Sequence, residues 1–426
     1  MERFNNKPIK VLQFGEGGFL RGFVDWMLQI ANEKGAFDGG VCVVQPIENG
    51  MCDILTEQKG TYTHLCRGVE GVDVKKIDVI SSCVKPYDNF DEYMSVAEIK
   101  ELRFIVSNTT EAGIRVNRED KITDNPASSF PGKLTQLLLK RYELGLGGFV
   151  FLPCELIENN GSELKKCILE YCDLWSLDSG FASWIEKENI FCNTLVDRIN
   201  TGYPRGEDIA NEYEDKLLNT SEYFHLWVIS GYDGLFSELP FDKCGLNVIV
   251  TNELERYRTR KVRILNGSHT SMIPYALLSG VETVKDCLEN PVISAHLRNC
   301  QEEIVASLDM NKDEALEYAS QVMTRFANPY IKHMCQSIAL NSVSKFKVRV
   351  LPSILEYEKK YGKAPKTLLF SLAKLIEFYK KGTPNDNPQE TEKMKNGTVK
   401  EILSDASLWG QDISRFEEEV YANTSI

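Results

Sequence analysis

The sequence predicts an α/β protein with a mostly parallel sheet in an N-terminal domain, residues 1–250, and a mostly α-helical C-terminal domain, residues 251–426. Three observations carry that prediction. Short β-branched runs alternate with helical patterns through the first half, which is how parallel βαβ units read in sequence. A glycine-rich turn directly follows the first of those runs. From about Leu254 onward, helical patterns dominate. At 426 residues the chain has room for two or three domains, each with its own core.

The elements follow in order. Lys10 to Phe14 (KVLQF) reads as a strand ending at glycines, and Phe19 to Asn32 then places apolar residues at helical spacing. Val41 to Val44 is a second β-branched run. Phe104 to Val106 is a third and ends in the polar SNTTEAG, and Phe149 to Leu152 is a fourth behind Gly147 and Gly148. Leu246 to Val250 is the last apolar run before the change of character. In the second half, Thr367 to Tyr379 carries Lys374 and Glu377 among apolar positions, with Gly382 just beyond as a stop signal. The Pro/Asn-rich stretch Gly382 to Gly397 reads as a surface loop.

Composition excludes several function classes. With 42% hydrophobic and 26% charged residues the chain is neither collagen-like, coiled-coil nor disordered. A formal net charge of −13 repels phosphate backbones and argues against nucleic acid as a partner. The longest uncharged stretch, Ile264 to Val281, holds Asn266, Ser268, His269, Thr270 and Ser271, so no membrane span is expected. MERFNNKPIKVLQF has no apolar h-region, so no signal peptide is expected either. Twelve cysteines, scattered without a CxxC pair, predict buried free thiols in a reducing cytoplasm. Five histidines with no HxxxH or Cys/His cluster predict no metal site.

Three segments carry chemistry. The first is Phe14-Gly15-Glu16-Gly17-Gly18-Phe19-Leu20-Arg21. Gly15 and Gly17 supply the G-x-G of a Rossmann-type dinucleotide turn, where backbone must bend sharply and approach a pyrophosphate; Leu20 stands where the third glycine would be. The same glycines also suit a plain βα turn. At the end of the second strand, where an acidic residue usually meets the adenosine ribose, stands Gln45, which can still hydrogen-bond a hydroxyl. No Arg or Lys lies between Gly35 and Gln58, which favours NAD over NADP.

The second segment is Lys261-Val262-Arg263-Ile264-Leu265-Asn266-Gly267-Ser268-His269. On a helix, Lys261, Asn266 and His269 can share a side: the step of three is close and the step of five somewhat off-face. Oxidising a secondary alcohol needs a base for the hydroxyl proton, neutral donors for the oxyanion and a polar group to fix the substrate. Lysine serves as that base when burial disfavours its ammonium form. The competing reading is a solvated helix with Lys261 outside and Asn266 as a cap. The third segment is Cys192-Asn193-Thr194-Leu195-Val196-Asp197-Arg198-Ile199. There Asn193 is either a cap or a ligand, and Asp197 and Arg198 suit a buried ion pair that fixes a loop.

FGEGGFLR, NTLVDRI and KVRILNGSH occur in that order, and together they make the chain resemble the polyol-specific long-chain dehydrogenase/reductase family, which includes the mannitol dehydrogenases. The resemblance covers most of the chain. VVQPI, VSNTTEAGI, LPCELIENNG and VDRINTGYPR resemble the family's hexuronate-reducing branch. The resemblance implies a Rossmann-type N-terminal domain, NAD as cofactor, metal-independent hydride transfer, and a hexuronate or aldonate substrate. It implies that Lys261 is the general base in alcohol oxidation and the acid in ketone reduction. It places Asn193 and Asn266 on the reacting oxygen and His269 on a substrate hydroxyl. Gly15, Gly17 and Phe19 would lie along the dinucleotide, Asn108 and Thr109 beside it, and Glu111 toward the nicotinamide or substrate. Where the mannitol-type pattern has a substrate-binding Arg, this chain has Ser337, which counts against mannitol. A uronate carboxylate would need a cation, for which Arg260, His333, Lys345 and Arg349 are candidates alongside plain solvation. A dinucleotide-using epimerase or a regulator is the outside reading, against which the intact Lys261, Asn266 and His269 set argues.

Overall fold

The structure, a computed structural model, describes residues 1–110 and 112–425. The chain forms two compact units, Met1–Leu254 and Glu255–Ile426. In the first unit, β1 (Ile9–Phe14), β2 (Gly40–Val44), β3 (Ile80–Val84), β4 (Phe104–Ser107), β5 (Val150–Pro153) and β6 (Ile190–Phe191) form one sheet in the order β3-β2-β1-β4-β5-β6. Every neighbouring pair is parallel. This is the Rossmann order: the chain steps outward from β1, returns across it to β4, and steps outward the other way, which opens a crevice at the carboxyl ends of β1 and β4. Both faces are covered, so the strands are buried along nearly their whole length and read as continuous apolar runs. Val11 faces one core with Phe23, Met27 and Trp227, while Leu12 and Phe14 face the other with Leu134, Phe151 and Ile168.

Two smaller sheets complete this unit. Asn193–Asp197 pairs antiparallel with Leu226–Ser230, which pairs parallel with Val248–Val250. Asn200–Gly202, Asn219–Ser221, Tyr62–Gly68 and Gly71–Ile77 form the other. The hairpin of Tyr62–Gly68 and Gly71–Ile77, and β3 (ISSCV), escape the sequence reading because serines and charges break their apolar runs.

One predicted helix needs correction. Phe19 to Asn32 is two helices, Gly18–Arg21 and Val24–Glu33. The break falls at Gly22, where a Cβ would run into the Asn200, Asn219 and His64 side chains. That close approach, with Gly18 nearby against Asn219, does the packing that a third glycine does in a G-x-G-x-x-G turn, and Leu20 is free to be a buried core residue.

The second unit is helical. Gly267–Leu278 is buried on nearly all sides and packs against Pro291–Ser307 and Lys366–Lys381. Lys366–Lys381 contains the predicted Thr367 to Tyr379. The predicted loop Gly382 to Gly397 instead holds the helix Pro388–Asn396. Its Asn-Pro is a start signal rather than a turn: the Asn387 side chain accepts from the Gln389 N–H at 2.9 Å, Pro388 fills the first position, and Met394 is buried. All twelve cysteines are free thiols, and eleven are buried. Among the described residues no helix is long and apolar enough to cross a membrane.

Candidate active site

In the first unit, the sequence-predicted residues cluster at the β1–β4 crevice. Gly15 has φ +113°, which an L side chain rarely adopts, and its Cβ position lies 3.1 Å from the Asn108 carbonyl. Gly17 is exposed with nothing within 4 Å of its Cβ position, so the backbone is open to a ligand there. Phe19 stacks on Phe23 with centroids 5.0 Å apart. The glycine turn is tied to its surroundings by side chains that spacing alone does not single out. Glu16 accepts from the Met51 N–H at 3.3 Å, Arg21 donates to the Glu16 carbonyl at 3.0 Å, and Gln13 donates to the Gly15 carbonyl at 3.1 Å. Burial pushes the Glu16 carboxyl above its ordinary range.

Gln45 sits at the end of β2 as expected, but its amide is taken up by its own turn. It donates to the Ile47 and Glu48 carbonyls and accepts from the Cys52 N–H. Across the crevice, Asn108 donates to the Cys154 carbonyl at 2.8 Å. The Thr109 N–H and hydroxyl both donate to Glu155 at 3.0 Å, and Ser107 donates to the other Glu155 oxygen at 3.0 Å. Burial raises the Glu155 carboxyl above its ordinary range. Glu111 lies outside the described residues. A cavity of about 530 Å³ runs from Pro46 and Ile47 past Thr109 and Ala112 to Arg115 and Phe130. Arg115 thus brings a cation to the β2 end that the local sequence of that loop lacks.

Asn193 begins its strand with the amide oxygen accepting from the Ser162 N–H at 3.0 Å and the amide nitrogen donating to the Ser162 hydroxyl at 3.1 Å. Among the described residues nothing takes its second Nδ2 hydrogen. Arg198 is a buried fastener: it donates to the Glu222 and Gly22 carbonyls and lies 4.1 Å over Trp26. The Cys66 sulfur takes a further Arg198 N–H at 3.0 Å.

In the second unit, Lys261–Asn266 is a π-helical turn running into Gly267–Leu278. Its i→i+5 closure brings residues five apart toward one face, which an α-helix does not do. The turn therefore narrows the off-face step between Lys261 and Asn266. Asn266 makes no capping hydrogen bond, so the cap reading does not describe it.

His269 is buried, its Nε2 has no hydrogen-bond partner, and it stacks on Phe326 with His333 edge-on. Burial, with His333, Arg325, Arg349 and Lys345 close by, holds its pKa well below the ordinary value. Burial likewise lowers His333, Lys345 and Arg349. Lys345 donates to the Ile338 carbonyl at 2.9 Å, with Asp386 as the nearby acid. Arg349 is half-buried, and no carboxylate among the described residues pairs with it. Arg260 is different: Glu314 takes it at 2.9 Å, and it lies over Tyr318 and Tyr257. It is a packing cation rather than an open one.

The chain belongs to the mannitol dehydrogenase family. The family profile "Mannitol dehydrogenase Rossmann domain" matches residues 9–242, and "Mannitol dehydrogenase C-terminal domain" matches residues 253–424. It is an oxidoreductase acting on CH–OH groups, of the polyol and sugar-acid dehydrogenase class. More particularly, it is 42% identical to the altronate oxidoreductase of Yersinia enterocolitica, over 96% of this chain and 91% of that one. It is 42% identical to that of Bacillus subtilis, over 97% and 91%. In fold it is similar to a substrate-free D-sorbitol dehydrogenase (TM-score 0.82, 21% identity, 98% of this chain and 92% of that one). It is also similar to Pseudomonas fluorescens mannitol 2-dehydrogenase in ternary complex with NAD and D-mannitol (TM-score 0.71, 20% identity, 99% and 91%).

Proposed function

We propose that the protein is an NAD-dependent tagaturonate reductase, interconverting D-tagaturonate and D-altronate in hexuronate breakdown, in the cytoplasm. The observation that carries the substrate class is Arg349. A half-buried guanidinium with no carboxylate partner among the described residues, beside Lys345 and the unpartnered His269 Nε2, suits an anionic sugar acid better than a neutral polyol. Two relatives bearing the altronate oxidoreductase name at 42% identity support the same choice.

The glycine turn fits a dinucleotide, because Gly15 takes a conformation costly to other residues and Gly17 leaves its surface open. Bound NADH supplies the hydride that reduces the ketone carbon. Lys261 then gives a proton to the ketone oxygen, so carbonyl, hydride and proton leave as a secondary alcohol; in the reverse direction its amine takes that proton. Asn193, through its remaining Nδ2 hydrogen, and Asn266 hold the oxygen as charge develops on it. His269, neutral and with its Nε2 unpartnered, takes a substrate hydroxyl.

The deciding experiment follows NADH oxidation with D-tagaturonate beside D-fructuronate and D-fructose, and repeats the best pair with NADPH. Selective turnover of D-tagaturonate with NADH is expected. Selectivity for another ketose moves the substrate assignment, equal use of NADPH overturns the preference for NAD, and conversion without net NADH oxidation identifies an epimerase.

A further inference from the structure

One tetrapeptide, Asn159-Asn160-Gly161-Ser162, is built around the residue assigned to the reacting oxygen. It opens the helix Asn160–Leu174, with Asn159 left-handed at φ +52°. Asn160 is 1% exposed and its amide is saturated. It donates to the carbonyls of Pro153 at 3.0 Å, Glu155 at 3.1 Å and Thr194 at 3.2 Å, and accepts from the Thr194 N–H at 2.8 Å. A Cβ on Gly161 would run into the Cys192 carbonyl, so the helix start lies directly on that backbone. Ser162 holds both ends of the Asn193 amide. Three consecutive residues, 160–162, thus grip three others, 192–194, with Asn193 at the centre.

The same segment also holds the dinucleotide side. Glu155, whose carbonyl receives Asn160, binds the Thr109 N–H and hydroxyl through its carboxyl. A continuous chain of hydrogen bonds therefore runs Thr109–Glu155–Asn160–Thr194, and Asn193 is the next residue. We infer that Asn160 and Ser162 are positioning residues for hydride transfer, fixing the Asn193 amide relative to the Asn108–Thr109 edge of the dinucleotide crevice. The inference rests on the proposed role of Asn193. The physical reason is geometric: the donor to a developing oxyanion must stand at a set distance from the atom receiving hydride, and a misplacement of about 1 Å costs on the order of 100-fold in rate.

The test is a double-mutant cycle on the full-length enzyme, using whichever ketose the wild type reduces. The variants are Asn160→Ala, Ser162→Ala, Asn193→Ala and the two doubles with Asn193→Ala. Asn160→Ala is expected to lower kcat about 100-fold and Ser162→Ala roughly 10-fold, with the Kd for NADH, read by fluorescence, changed less than about twofold. In the Asn193→Ala background each is expected to cost less than about twofold, because the group they hold is gone. Losses that add in full to that of Asn193→Ala, or an unchanged kcat in Ser162→Ala, overturn the inference. Ser162 is exposed, so its cycle decides the matter even where Asn160→Ala does not fold. A wild-type kcat in Asn193→Ala itself instead sinks the role given to Asn193, which separates the two failures.

Discussion

The His269 imidazole lies nearly flat on the Phe326 ring, with centroids 4.1 Å apart and planes 15° apart, and His333 stands edge-on at 5.0 Å. Burial and the surrounding cations disfavour a charge on this ring. It stays neutral as pH falls through the range where an ordinary histidine protonates. The acid limb of kcat/KM for ketone reduction is therefore expected to show no histidine titration down to about pH 6. Phe326→Ala, which admits water to the ring, should raise the His269 pKa and introduce such a limb. An identical pH profile in the two enzymes would remove His269 from substrate binding.

Arg349 separates substrates by charge. If it receives the uronate carboxylate, Arg349→Gln should raise KM for D-tagaturonate about 30- to 150-fold, the worth of a charged hydrogen bond at about 2–3 kcal/mol. The KM of an uncharged ketose should move less than about threefold. Equal loss on both substrates would show Arg349 supporting the fold rather than reading the substrate.

Much of this was legible in the chain, and the particular misses have physical causes. The glycine turn after KVLQF, the β-branched runs and the helix around Lys374 and Glu377 each carry a periodicity or a punctuation mark that local physics obeys. The helix break at Gly22 was not legible, because its cause is the long-range approach of Asn200, Asn219 and His64. Lys261 and Asn266 stand out by residue type, and their five-residue step is only somewhat off-face on an α-helix. The π-turn that carries them is not legible, because no simple sequence period announces one. Gln45 and Arg260 carried the right groups for their suggested roles. Their partners, the Ile47 and Glu48 carbonyls and Glu314, are tertiary facts. Asn160 and Glu155 left a weaker trace: polar residues just past an apolar strand, which a loop also shows.

Acid should unfold the protein early. The His225 ring accepts from the Asn247 N–H at 3.0 Å and lies 3.1 Å from the Tyr223 carbonyl, an arrangement the neutral ring satisfies at both nitrogens. Burial lowers its pKa to about 4, and that of His296 to about 4 as well. The unfolded chain takes up these protons from about pH 6.5 downward while the folded chain does not, so stability falls as pH drops from about 6.5 to about 4. Each ring costs on the order of 3 kcal/mol across that window. Tm should fall steeply between those limits in the wild type and less steeply in His296→Asn. Parallel Tm curves for the two proteins would show that His296 does not drive the loss.

Lys261 and Asn266 act on one oxygen in the proposed chemistry, so their losses should not add. Lys261→Ala is expected to lower kcat by about 10²- to 10⁴-fold, the range for removing a general acid, with NADH affinity unchanged. Asn266→Ala is expected to cost about 10²- to 10³-fold, as for one lost oxyanion donor. In the proposed step Asn266 fixes the oxygen on the lysine ammonium, so the two side chains act as a unit and removing the lysine takes most of the amide's worth with it. The double variant should then fall close to Lys261→Ala alone. Single-turnover hydride transfer in the four enzymes reads this directly. A double variant slower by the product of both factors would mean that the two side chains serve separate steps.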